Sequence, residues 1–262
     1  MFQKIMLGLL NTLYHSCWNK GPKIDIVIIL GGCETKFGSK LIWSFLSLGL
    51  PVIHIDLFRN ENFDLLPEYQ FYPLCSFENA RQEAFIFQKL YTIRGKSVTL
   101  INNFQYGISQ LFCSKTNQKL ITLQQCTLVN LILVMKITKF FLKKIVSVKN
   151  NFSIVNISHQ LTLELPSLAN NYMFSKAALN QYVDSLFSEL HSLKRGDMDV
   201  KCSILYLPII LDFQLWEEWS DHINDEIIKY VIQGRTGVIK LEPIKYDYWK
   251  LRNIQNIMHQ NI

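Results

Sequence analysis

Tyr172 and Lys176 are the pair in this sequence best suited to moving a proton. Residues four apart share a helix face, with Cβ atoms about 5–6 Å apart. An ammonium at that range stabilises a tyrosinate and lowers the phenol's pKa. A phenol tuned in this way can give a proton to a carbonyl oxygen or take one from a hydroxyl. The spacing alone is cheap, since Tyr246 and Lys250 repeat it. The first copy differs in context. It follows a strand-like run, Ser153–Ile157, and opens a long stretch of helical apolar period from Tyr172 to Leu193.

A second group of residues could hold an anion. The run Ile24–Leu30 is short, apolar and β-branched, as a strand buried on both faces requires. It is followed by Gly31-Gly32-Cys33-Glu34-Thr35-Lys36-Phe37-Gly38, and a helical pattern begins near Gly38. Glycines after a strand let backbone approach a pyrophosphate, and the helix N-terminus faces the negative charge. Gly32 and Gly38 fit the outer positions of such a turn, with Thr35 and Phe37 between them as further cofactor contacts. The middle position holds Lys36, an unfavourable residue if the backbone there needs φ > 0. Asp56 ends the next strand-like run, where a carboxylate accepts hydrogen bonds from ribose hydroxyls and repels a 2′-phosphate.

Elements that would carry these groups alternate along the chain. The apolar periods predict strands at Pro51–Asp56, Tyr69–Leu74, Ser97–Ile101, Ser153–Ile157, Val200–Leu207 and Gly237–Leu241. Between them the pattern predicts a first helix carrying Leu41, Ile42 and Phe45. Further helices are expected at Asn79–Tyr91, Leu120–Ile145, Tyr172–Leu193 and Leu215–Val231. Strand–helix alternation implies an α/β fold: a Rossmann-like, doubly wound parallel sheet in three αβα layers, built as one domain over residues 22–262.

The chain's 262 residues suit one such domain, and 49 % apolar residues argue against disorder. A formal charge of +6 is spread without a basic block, so nucleic acid is not an expected partner. Six cysteines without a Cys-x-x-Cys pair read as reduced, mostly buried thiols of an intracellular, cytosol-facing protein, and no metal-ligand spacing is seen. Residues 1–21 carry Phe2, Ile5, Met6, Leu9, Leu10 and Leu13 at helical spacing. That segment is read either as an amphipathic helix on the cytosolic face of an internal membrane or as a helix packed on a protein surface. Trp216 and Trp219 could line an apolar pocket or serve packing alone.

Taken together, the motifs resemble the short-chain dehydrogenase/reductase family from about Ile24 to about Pro243. Ile154-Val155-Asn156-Ile157-Ser158 resembles the family's serine strand. Val129-Asn130-Leu131 resembles its asparagine motif, and Val98–Asn103 its fourth strand with the start of an Asn-Asn-Ala-Gly motif. The resemblance implies Tyr172 as general acid/base, Lys176 as the ribose-binding residue that tunes it, and Ser158 on the substrate oxygen. It implies Asn130 as holder of a relay water and Asn102 as a cofactor contact. The departures are Lys36 in the glycine loop, Phe104-Gln105 in place of two small residues, Ser76 for the adenine-contacting aspartate, and Pro208-Ile209 for Pro-Gly. His159 takes the serine position if Tyr172 is counted back without a gap.

The expected function is NAD(P)(H)-dependent interconversion of an alcohol and a carbonyl on a hydrophobic, lipid-like small molecule. Asp56 favours NAD over NADP, and a homo-oligomer is the expected assembly. The alternative is a degenerate protein of the same fold that acts as a binding or scaffold module.

Overall fold

In the computed structural model, residues 24–33, 35–74, 80–93, 97–107, 123–148, 151–164, 170–192, 200–208 and 213–241 are described. The N-terminal segment 1–21, Ser76 and the Tyr246/Lys250 pair lie outside them, as do the side chains of Trp216 and Trp219.

The strands are β1 (Ile26–Leu30), β2 (Val52–Asp56), β3 (Tyr69–Pro73), β4 (Ser97–Asn102), β5 (Asn151–His159), β6 (Val200–Leu207) and β7 (Gly237–Lys240). They form one seven-stranded sheet in the order β3-β2-β1-β4-β5-β6-β7, with every pairing parallel. The helices are α1 (Lys36–Ser47), α2 (Ala80–Tyr91), α3 (Leu123–Thr127), α4 (Val134–Val148), α5 (Leu161–Glu164), α6 (Asn170–Ser192) and α7 (Phe213–Ile232). This is the Rossmann-like architecture expected from the alternation.

Period-2 alternation splits the sheet's side chains between two cores. Val27, Ile29, Val155, Ile157 and Leu205 pack under α1 and α7, through Leu41, Phe45, Ile223 and Ile227. Ile28, Leu30, Leu100, Ile154 and Ile204 pack under α2, α4 and α6, through Leu90, Ile137, Phe141, Leu179 and Val183. A strand buried on both faces needs an unbroken apolar run, and β1 has one.

By length and composition, Leu123–Lys143 is long and apolar enough to cross a membrane. Its Val129, Val134, Ile137 and Phe141 instead fill the second core, which accounts for one apolar face of the segment.

Strand order reverses at β1, which has β2 on one side and β4 on the other. In open α/β sheets, ligands bind outside the carboxyl ends of strands at such a reversal. The segments that leave β1 and β4 there are Gly31-Gly32 and Asn103-Phe104.

Candidate active site

Gly31 and Gly32 turn the chain off β1 with φ of +75° and +109°, a region that side-chain-bearing residues avoid. A Cβ on Gly32 would stand 2.5 Å from Asn103 Nδ2, and one on Gly38 would run into the Gly32 carbonyl. Helix α1 therefore starts in backbone contact with the β1 turn. Thr35 caps the helix: its Oγ1 accepts from Gly38 N at 3.0 Å and donates to Gly32 O at 3.2 Å. Lys36 is the first residue of the helix, so the positive φ feared from the sequence is not required there. Phe37 is wholly buried in the first core, so any contact it makes with a ligand passes through its backbone.

Asp56 is buried at the end of β2, and both of its oxygens are engaged. Oδ2 accepts from Cys33 N at 2.8 Å and Oδ1 from Leu57 N at 2.6 Å. The carboxylate thus ties the glycine turn to β2.

The C-terminal ends of β4 and β5 carry polar side chains into the sheet. Asn102 Nδ2 donates to Asn156 Oδ1 at 2.5 Å, and Gln105 Nε2 to Asn103 Oδ1 at 3.0 Å. Asn102 Oδ1, Asn103 Nδ2 and Ser158 Oγ are buried without hydrogen-bond partners. Buried polar atoms are rarely left unpaired, and each such orphan calls for an explanation, a ligand or water that completes it being one. The alternation of β5 puts Ser158 on the side of Ile154, under α6, and His159 on the side of Val155 and Ile157. Of the two residues weighed for the serine position, Ser158 therefore shares a face with the helix that carries Tyr172.

Tyr172 and Lys176 lie near the start of α6, both buried. Lys176 Nζ donates to Ile157 O at 2.8 Å, which draws the amine to the end of β5. Burial lowers the Lys176 pKa to about 7. The Tyr172 phenol is pushed well above its usual range by burial and then by the Cys126 thiol. The expected depression of Tyr172 by Lys176 is therefore not seen: burial is the largest influence on the phenol, and Lys176 is not among the groups that act on it.

Asn130 sits in a π-helical stretch, Leu128–Leu133, between α3 and α4. Such bulges interrupt helices frequently at functional sites. Its amide accepts from Tyr106 N at 3.0 Å and donates to Tyr106 O at 2.9 Å and Ser175 Oγ at 3.0 Å. Ser175 in turn donates to Tyr172 O at 2.7 Å. The side chain assigned to a relay water is thus spent on fixing the backbone at Tyr106 and the first turn of α6. Asn130→Ala is expected to destabilise the fold by about 1–3 kcal/mol, because it removes the hydrogen bonds to the partly buried Tyr106 backbone and the buried Ser175 hydroxyl. Urea unfolding measures this.

His159 was read as an alternative hydrogen-bond donor. Burial, then Lys176, lowers its pKa from 6.5 to about 4. A histidine held neutral when folded makes its full contribution to stability above the unfolded pKa. The contribution is lost as pH falls from 6.5 through 4, and by linkage is worth about 3 kcal/mol. Thermal melts should show this loss, and His159→Gln should flatten it. Lys176 adds to the same trend at higher pH, since stability falls as pH drops from 10.5 through 7.

No protein-family model matches the chain. It is similar to the oxidoreductase-like protein SRL4 of Saccharomyces cerevisiae, 28 % identical over 242 residues that cover 84 % of this chain and 85 % of that protein. Among solved structures, 4-hydroxyisoleucine dehydrogenase complexed with NADH superposes with a TM-score of 0.63 at 16 % identity, covering 84 % of this chain and 97 % of that one. The bulky-bulky ketone specific alcohol dehydrogenase of Comamonas testosteroni gives 0.64 at 14 % identity, over 92 % and 96 %. A short chain dehydrogenase of Leptospira borgpetersenii with bound NAD+ gives 0.61 at 13 % identity, over 85 % and 92 %.

Proposed function

We propose, from the premise that this chain is a divergent protein of the short-chain dehydrogenase/reductase fold, that it is a nicotinamide-dinucleotide-dependent oxidoreductase. It interconverts an alcohol and a carbonyl on an apolar small molecule. The observation that carries the reading is the set of unpaired buried atoms, Ser158 Oγ, Asn102 Oδ1 and Asn103 Nδ2, on the strand ends that Lys176 and the start of α6 approach. The residues present fit a dinucleotide. The Gly31-Gly32 turn and the Gly32–Gly38 contact are the features that close backbone approach to a pyrophosphate needs.

When bound, the cofactor would supply or accept the hydride; the protein supplies orientation and proton transfer. Ser158 Oγ hydrogen-bonds the substrate oxygen. The Tyr172 hydroxyl stands ready as proton donor, since burial favours its neutral form. Lys176 keeps two further N–H or lone-pair positions beyond its bond to Ile157 O and binds ribose hydroxyls. Asp56, a buried carboxylate, disfavours a 2′-phosphate, so NAD(H) is the proposed cofactor. The surroundings of the site, with Phe104 and Met173 buried near it, suit an apolar substrate. A lipid-like one is proposed, with residues 1–21 as a separate segment before a single domain, in an intracellular homo-oligomer.

One observation favours the scaffold alternative. The Phe104 ring lies directly against Gly31, where small residues would leave room. The test is NADH oxidation by the full chain across a panel of apolar aldehydes and ketones. Turnover above the cofactor's own decay is expected. Dinucleotide binding without turnover on any carbonyl would leave the binding-module reading standing.

A further inference from the structure

His54 lies in the middle of β2 with no exposed surface, and the function proposed above gives it no part. Its Nδ1 is 2.9 Å from the Tyr69 hydroxyl. Its Nε2 is buried without a hydrogen-bond partner, although Asp56 Oδ2 stands only 3.3 Å away. The two are close but not aligned as donor and acceptor. Cys33 Sγ is 4.0 Å from Nδ1 of the same ring. One ligand atom from each of Cys33, His54 and Asp56 lies within 4.8 Å of the others.

We propose that Cys33, His54 and Asp56 form a binding site for a divalent metal ion of borderline softness, with zinc as the type. Three features support it. First, the donor set is sulfur, imidazole nitrogen and carboxylate oxygen. Zinc binds these at about 2.0–2.3 Å in tetrahedral geometry, which places ligand atoms roughly 3.5 Å apart. Asp56 Oδ2 already stands 3.3 Å from His54 Nε2, and the Cys33 sulfur must move inward to reach that spacing. Second, the imidazole lies between the two other donors, with Asp56 Oδ2 3.3 Å from Nε2 and Cys33 Sγ 4.0 Å from Nδ1, and Nε2 is a buried nitrogen without a hydrogen-bond partner. Third, a thiolate and a carboxylate supply two negative charges, which one dication cancels in a place where an unpaired charge is costly.

Without metal, burial and then Asp56 push the Cys33 thiol up to about 12. The resting sulfur is therefore a thiol, and binding exchanges its proton for the metal with no change of oxidation state. Affinity accordingly rises with pH. Cys33 is only half-buried, so the cluster can be approached from solvent on the sulfur side. Asp56 is also the proposed ribose acceptor, so bound metal would compete with the dinucleotide. That competition rests on the nucleotide reading; the metal site itself does not.

The test titrates the metal-free, reduced full chain with Co²⁺ and follows thiolate-to-cobalt charge-transfer absorption and the intense visible bands of tetrahedral cobalt. Saturation at one equivalent, reversal by Zn²⁺ and loss of the charge-transfer band in Cys33→Ser are expected. Cys33→Ser changes a half-buried turn residue, and circular dichroism checks that it folds. Asp56→Asn should weaken cobalt binding at least about tenfold. No charge-transfer band up to millimolar Co²⁺ overturns the proposal. So does a band that survives Cys33→Ser, or one that disappears in Cys126→Ser or Cys202→Ser, because the metal would then sit on another cysteine. No step requires a nucleotide, so the outcome is independent of the oxidoreductase reading.

Discussion

Tyr172→Phe is expected to lower kcat/KM for carbonyl reduction by about 10²–10⁴-fold, the usual contribution of a positioned proton donor. The melting temperature should move by only a few degrees. The two expectations separate because of where the hydroxyl sits. Tyr172 is buried, so its ring fills space that Phe fills equally well. Among the described residues its carbonyl holds Ser175, while its hydroxyl makes no hydrogen bond that would be lost. Burial raises the phenol's pKa, so the neutral donor persists across neutral pH. The Tyr172 proton should therefore put no inflection into reduction around neutrality, where any change reports Lys176, whereas alcohol oxidation, which needs the tyrosinate, should climb into the alkaline range. Steady-state kinetics in both directions measure this. A variant that retains half or more of its turnover would remove Tyr172 from the chemistry.

Gly38→Val is expected to be the most damaging single change to the nucleotide end of the site. A Cβ at this position meets the carbonyl and Cα of Gly32, and neither can swing aside as a flexible side chain would. Overpacking of this kind costs about 1–3 kcal/mol, and here it also pushes the start of α1 away from the β1 turn. Saturable dinucleotide binding should vanish even where the chain still folds. Gly49→Ala is the matched control. Gly49 has φ of +72° but open space around its Cβ position, so that change carries only a backbone cost of about 1 kcal/mol and leaves binding intact. Urea midpoints give the stabilities, and cofactor fluorescence gives the binding.

How much of this was legible in the sequence depends on how local the determinant is. β6 was expected at Val200–Leu207 and occupies that range, because its period and length are properties of the segment itself. β5 runs two residues further at each end than expected: Asn151 and Phe152 pair with Ser97 and Val98, and Ser158 and His159 with Tyr206 and Leu207. Those additions depend on neighbouring strands. Helix α1 starts at Lys36 rather than near Gly38, because Thr35 supplies the cap. A threonine before an apolar period was a signal that could have found it.

The site residues divide in the same way. Ser158, Lys176 and Asn102 were assigned from motif order; Ser158 and Asn102 stand at the ends of neighbouring strands, and Lys176 bonds the end of one of them at Ile157 O. The amide of Asn130 is spent on Tyr106, a partner 24 residues away that no local pattern reveals. Cys33, His54 and Asp56 lack any ligand-like spacing in the chain. They meet because parallel pairing sets His54 beside Ile29 and carries Asp56 past the end of β1 toward the turn. Only tertiary register creates that cluster.

The central claim is that the reversal point between β2, β1 and β4 holds a nicotinamide dinucleotide. Titration of the full chain with NADH and with NADPH, followed by nicotinamide fluorescence, tests it most directly. The expected result is saturable enhancement, tighter for NADH than for NADPH and abolished by Gly32→Trp, whose ring would fill the turn beside Asn103. No saturation at millimolar cofactor, or a signal unchanged by Gly32→Trp, would contradict it.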